Sequence, residues 1–182
     1  MKFKLKKTLV KVAAWRVTSI LTTLLTSNNF FKDDYNNGII ETYMTSESSV
    51  ELILFLKIIL CWIFTCFPIV IFIPLVSLLF DIPFQISLVI LLTLIIGTPV
   101  LISIGIFGSA LTLGLAKNNT LLPVIILPFY IPVLIFSASA IEAVSVGLPY
   151  GMQIYILLAF LFLVLPIMPY LLKYTLGISI NN

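Results

Sequence analysis

The residues able to do chemistry in this 182-residue chain are few, and most of the acids crowd into one stretch. Four of the seven carboxylates, Asp33, Asp34, Glu41 and Glu47, lie in Phe31–Val50 (FKDDYNNGIIETYMTSESSV). There is no histidine, which removes the commonest metal ligand, the usual haem axial ligand and the usual general base. Cys61 and Cys66 stand five apart inside an apolar run. They form neither a C-x-x-C pair nor a metal pattern, and they read as two small buried hydrophobes. No G-x-x-x-x-G-K-[ST] is present, so this chain does not cradle ATP phosphates itself. With neither a base nor a metal site, an intramembrane hydrolase is disfavoured. Glu142 is the one acid within or beside the last two apolar runs. An acid at membrane depth is a functional candidate, and a solvated helix end is the blander account.

The acidic stretch has a pattern. Phe31, Tyr35, Ile39 and Tyr43 recur at every fourth position, with Ile40 and Met44 beside them. That spacing gathers the apolar side chains roughly along one helical face and leaves the acids mostly elsewhere. Asn37-Gly38 interrupts it, which predicts a short helix, a turn and a second short helix. Such an element can lie on a membrane surface, dock into a groove on a soluble partner, or be an ordinary solvated loop. Adsorption to anionic lipid favours Lys and Arg on the polar face. Here that face is acidic, which favours a protein partner.

The elements that position this stretch are membrane helices. The chain is 61% hydrophobic and only 9% charged, against about 25% charged residues in a soluble domain. Those proportions predict an all-α, polytopic helical membrane protein, with four spans at about 51–80, 84–116, 121–146 and 152–176. Ser48 with Glu51 is a capping-box start for the first, Lys57 should snorkel outward, and Pro68 and Pro74 predict kinks. Asp81-Ile82-Pro83 reads as a turn with Asp81 capping the second span. Gly97-Thr98-Pro99 interrupts that span, and Gly105, Ser109, Thr112 and Ala116 share a small-residue face suited to helix packing. Pro123, Pro128 and Pro132 argue against a regular third helix, because they leave carbonyls that protein or water must satisfy.

Residues 1–30 form an atypical basic segment. Lys2, Lys4, Lys6, Lys7, Lys11 and Arg16 precede any acid, and Val17–Leu25 is too short for a full span of about 20 residues. A partial or interfacial helix is expected there. A signal or transit peptide is the alternative, although the small-residue cleavage pattern is missing after Leu25. Loop charge sets the orientation: Lys32, Lys57, Lys117 and Lys173 fall on one side, and only Asp81 and Glu142 on the other. The positive-inside rule therefore places Phe31–Val50 and the C-terminus in the cytoplasm.

FKDDYNNGIIETY resembles the cytoplasmic segment of the CcmB family, permease subunits of the cytochrome c maturation ABC transporter, which carry an F-R-D-D…D-G-x-L-E pattern. Leu94–Pro99 (LIIGTP), Leu111–Leu115 (LTLGL), Leu127–Phe136 (LPFYIPVLIF) and Ser139–Val144 (SAIEAV) resemble further family motifs, in order, over residues 31 to about 176. Lys32 stands where the family has arginine, and Asn37 replaces its second acid. The family's six spans imply that its first helix has no counterpart here, with Trp15–Phe31 matching the end of its second.

The resemblance implies an ABC-2-like permease bundle in the bacterial inner membrane, or alternatively the mitochondrial one. It implies that the ATPase CcmA is a partner, docked by Phe31, Asp33, Asp34, Gly38 and Glu41. CcmC, CcmD, the haem chaperone CcmE and a second copy of the chain are the other implied partners. ATP enters through CcmA, and haem is the implied cargo, with no cofactor bound directly. Gly97, Thr98, Pro99, Pro128, Pro132 and Glu142 are candidates for translocation or packing. Three functions stay open: coupling ATP hydrolysis to haem export or to release of a haem-loaded chaperone, export of another substrate, and a non-transporting scaffold.

Overall fold

The computed structural model describes residues 49–112 and 121–180. They form four α-helices in sequence: α1 (Val50–Leu79), α2 (Phe84–Thr112), α3 (Leu121–Ser145) and α4 (Gly151–Ile180). Among the described residues there is no strand. The expectations for residues 1–30, for the segment 31–48 and for the loop 117–119 lie outside them. Each helix is long and apolar enough to cross a membrane. At ~1.5 Å per residue the 30 residues of α1 reach about 45 Å, against a hydrocarbon layer of ~30 Å. An all-α membrane bundle is what the composition predicts and what is found.

α2 lies at the centre. It packs against α1, α3 and α4, while α4 also touches α1 and α3. From Ile96 to Ile106 every α2 side chain is buried, as expected of a helix that is hydrophobic all round. The peripheral helices instead turn whole faces outward. Phe64, Phe67, Leu78 and Leu79 of α1 are each more than 60% exposed, as are Tyr155 and Tyr174 of α4. In a bilayer such surfaces meet lipid and cost nothing. Tyr155 and Tyr174 stand about 28 Å apart along the axis of α4, and Tyr170, one turn before the second, is exposed as well. That separation matches the ~30 Å core between the aromatic belts of a spanning helix. Phe136 of α3 and Phe160 of α4 add a tilted ring contact with centroids 6.4 Å apart.

Three expectations need correcting. First, α3 is a continuous helix through Pro128 and Pro132. Pro123 falls in its first turn, where the missing N–H would have had no helical partner anyway. The remaining prolines each forfeit one hydrogen bond, but unwinding the helix in lipid would orphan many more. α2 likewise runs unbroken through Gly97-Thr98-Pro99.

Second, the start of α1 is not a Ser48 capping box. Ser49 occupies the cap position without a side-chain hydrogen bond, and its carbonyl accepts from Leu52 and Ile53. Glu51 therefore falls one residue too early to reach back, and it pairs elsewhere.

Third, Asp81 does not cap α2. It ends α1, in the left-handed region at φ 50°. The Ile82 N–H donates to the Ser77 carbonyl at 3.0 Å, the six-to-one bond of a Schellman closure. Pro83 stands before α2 and its carbonyl accepts from Ile86 and Ser87. The α3–α4 turn closes in the same way. Gly147 has φ 78°, its N–H donates to Val144, and Leu148 N–H donates to the Ala143 carbonyl at 2.8 Å.

A side chain at Gly147 would meet no atom within 4 Å, so substitution there tests backbone strain alone. Gly147→Ala should destabilise the bundle by about 1 kcal/mol. Asp81→Gly should shift it the other way, by less, since Asp tolerates this region better than most residues. Thermal unfolding in detergent measures both.

Candidate functional site

The polar residues of the bundle converge on the middle of α2. Thr98 is 2% exposed. Its hydroxyl donates to the Leu94 carbonyl one turn back at 2.7 Å and accepts the indole N–H of Trp62 on α1 at 3.1 Å. The Cys66 sulfur lies 3.8 Å from the same oxygen. The single hydroxyl hydrogen is already spent on Leu94, so that contact is a weak S–H donation from Cys66. One threonine thus ties α1 to α2 from two sides. Ser103 donates to the Pro99 carbonyl and Thr93 to the Ile90 carbonyl, at 2.7 and 3.0 Å. A hydroxyl turned onto its own helix is how a membrane helix carries polar residues cheaply.

On the other side of α2 stands α3. Tyr130, fully buried, donates its hydroxyl to the Leu101 carbonyl at 2.7 Å. Gly97 faces α3: a Cβ there would lie 3.4 Å from Val133 Cγ1 and 3.6 Å from the Ser137 hydroxyl, at ordinary van der Waals distances. Buried Gly105 and Ser109 continue the small-residue face. The Thr112 side chain and Ala116 lie outside the described residues.

The candidate residues therefore separate. Gly97, Thr98 and Pro99 are all buried in the middle of α2, with Gly97 toward α3 and Thr98 toward α1. Pro128 faces outward and Pro132 is half-buried. Glu142 is exposed one turn before the end of α3, in line with the outward-facing Leu127, Ile131 and Ile135. Phe31, Asp33, Asp34, Gly38 and Glu41 lie outside the described residues. Trp62, Tyr130 and Ser137 were missed. The signal for the first two was available, because a buried Trp or Tyr in an apolar run needs a partner for its N–H or O–H.

Two features mark the ends of the bundle. At the end where α1 begins and α4 finishes, Lys173 Nζ donates to Glu51 Oε1 at 2.7 Å. Lys57 is near the same end, two turns into α1. At the other end, with Asp81 and Glu142, a cleft of about 310 Å³ opens between Phe84, Gln85 and Leu88 on α2 and Val144, Leu148 and Tyr150. Among the described residues no three His, Cys, Asp or Glu side chains gather as a metal site would require.

This bundle, its central α2 and the motif order can be set beside known proteins. The profile of the CcmB protein family matches residues 5–179. The chain belongs to the CcmB family. Its curated relatives are called heme exporter protein B. The Haemophilus influenzae protein is 36% identical over 169 residues, covering 93% of this chain and 76% of the relative. That of Pseudomonas aeruginosa is 34% identical over 179 residues, covering 98% and 80%. That of Escherichia coli K12 is 35% identical over 165 residues, covering 91% and 75%. The CcmB match begins well upstream of Phe31, where the recognisable motifs start. As a CcmB-family chain with four apolar spanning-type helices, this is a multi-pass membrane protein.

Replacing Thr98 by valine keeps the shape and removes the oxygen, which takes away the acceptor of the half-buried Trp62 N–H. The cost should be about 1 kcal/mol. Trp62→Phe should cost less in the Thr98→Val background than in the native chain. A double-mutant cycle on detergent-solubilised protein reads the difference.

Proposed function

We propose that this chain is the permease subunit of a haem-export complex in the bacterial inner membrane, driven by a separate ATPase of the CcmA type. The observation that carries this reading is family membership across nearly the whole chain, with relatives named as haem exporters. ATP acts through the partner, because the chain has no phosphate-cradling loop of its own. Haem is cargo and not a resident cofactor. CcmC, CcmD, the chaperone CcmE and a second copy of this chain complete the complex.

Phe31–Val50 is the coupling segment. It leads directly into α1, at the end of the bundle that holds Lys57 and Lys173. The other end holds Asp81 and Glu142. That distribution supports a cytoplasmic position for the segment by the positive-inside rule. Its aromatic face packs in the ATPase groove, with Phe31 and Gly38 shaping the contact. Asp33, Asp34 and Glu41 cap the short helices or meet basic residues of the ATPase.

Within this reading, force transmission that releases a haem-loaded chaperone is a second possibility. The hydroxyls of Thr93, Thr98 and Ser103 are spent on carbonyls of their own helix, so they offer little to a polar cargo. Gly97, Thr98, Pro99, Pro128 and Pro132 then serve packing, and Glu142 stands at the membrane boundary.

The deciding experiment is haem staining of c-type cytochromes in cells that lack their own permease subunit and express this chain. Restored staining is expected; its absence from cells in which the chain inserts normally would sink the proposal. Asp33→Arg combined with Asp34→Arg should abolish co-purification with the ATPase, and undiminished recovery would refute the docking role. A cysteine placed at Ser46 should be labelled only by reagents that reach the cytoplasm. Labelling from outside would reverse the topology.

A further inference from the structure

α1 is held to the bundle unevenly. In its first half Val50, Leu54, Ile58 and Cys61 are buried, at four-, four- and three-residue steps. They join one apolar cluster with Met168, Leu172 and Leu176 of α4 and with the α2 residues from Ile96 to Ala110. The Trp62–Thr98 hydrogen bond closes this half. Beyond Cys66 the described side chains of α1 are exposed or half-buried, with the exception of Ile73. The anchored half is therefore the half that follows Phe31–Val50.

At the first turn of that half the Glu51–Lys173 ion pair bridges α1 and α4 at 2.7 Å. It is the ion pair found between helices among the described residues, and it joins positions 122 apart in sequence. The apolar stripes hold α1 against α2 and α4 by interdigitated packing, and the ion pair adds a directional contact where that packing begins. A short charge-assisted hydrogen bond fixes register as well as contact.

We propose that Glu51 and Lys173 are positioning residues that clasp the start of α1 to the last turns of α4, so that displacement of the coupling segment moves both helices as one body. The inference rests on the coupling role assigned above to Phe31–Val50. It adds that α4, remote in sequence, receives the same displacement as α1. An exposed pair contributes little to folding, so its loss should leave the amount of protein in the membrane unchanged.

Charge reversal tests it in the full chain, co-expressed with its partners in cells that lack their own permease subunit. Glu51→Lys and Lys173→Glu, each alone, place like charges together. Each should cut haem staining by about threefold or more, with normal amounts in the membrane and normal ATPase co-purification. The double reversal should restore staining. It leaves the net charge of that membrane face unchanged, so rescue reads the pairing itself. Glu51→Ala should resemble the single reversals and guards against a reversal that fails to insert. Full staining in Glu51→Ala, or a double reversal no better than either single one, would overturn the clasp while the native chain still stains. A native chain that does not stain would instead remove the export reading, and the clasp with it.

Discussion

Backbone polar groups inside a bilayer have no water to turn to, and this requirement shapes the molecule more than any side-chain contact. Each peptide unit left unpaired in lipid costs several kcal/mol, while an interior proline in water costs about 3 kcal/mol. The balance therefore favours a helix that tolerates its prolines over a loop that avoids them. α1, α2, α3 and α4 all contain prolines and all run continuously. The same requirement governs the helix ends, where both described turns return their amides to the carbonyls of the preceding helix. It also governs the hydroxyls, which fold back onto their own backbone.

Given continuous helices, packing decides which one is central. α2 combines an apolar surface on every side with a glycine at the α3 crossing and a threonine at the α1 crossing. Leu94–Pro99, one of the family-like motifs, covers both crossings. Its glycine lies against Val133 and Ser137 of α3, its threonine accepts from Trp62, and the carbonyl of its proline accepts from Ser103. A translocation role for these residues has to be compatible with their being tightly packed in this state.

Much of the fold was legible because its signals are local. Runs of apolar residues announce an all-α membrane bundle, and the described residues form four helices long and apolar enough to span. The misreadings arose where two local rules competed. Three prolines in α3 outweighed the membrane context in a reading taken from propensity, and context prevails in the folded chain. Asp81 can cap a helix or end one. The Ile82-Pro83 that follows leaves room only for the second role, because Pro83 already occupies the position before α2. Ser48 and Ser49 are both competent caps, and sequence does not choose between them. The Glu51–Lys173 pair was out of reach for another reason: neither residue carries information about a partner on a helix so far along the chain. Of the candidate site, Thr98 and Gly97 could be read from residue type, while Trp62 and Tyr130 needed the three-dimensional neighbour to show what their polar atoms do.

The paired turn closures have a bearing on how the protein is made. Each of these turns closes with a six-to-one hydrogen bond onto the helix before it, so a hairpin can leave the translocation machinery with its turn already formed. α1 with α2, and α3 with α4, can each partition sideways into lipid as a finished unit. Assembly is then the meeting of two hairpins, and α2 is the surface on which they meet. A lesion in either turn would be felt first as a fault of assembly, with the hydrogen bonds of the α2 seam untouched.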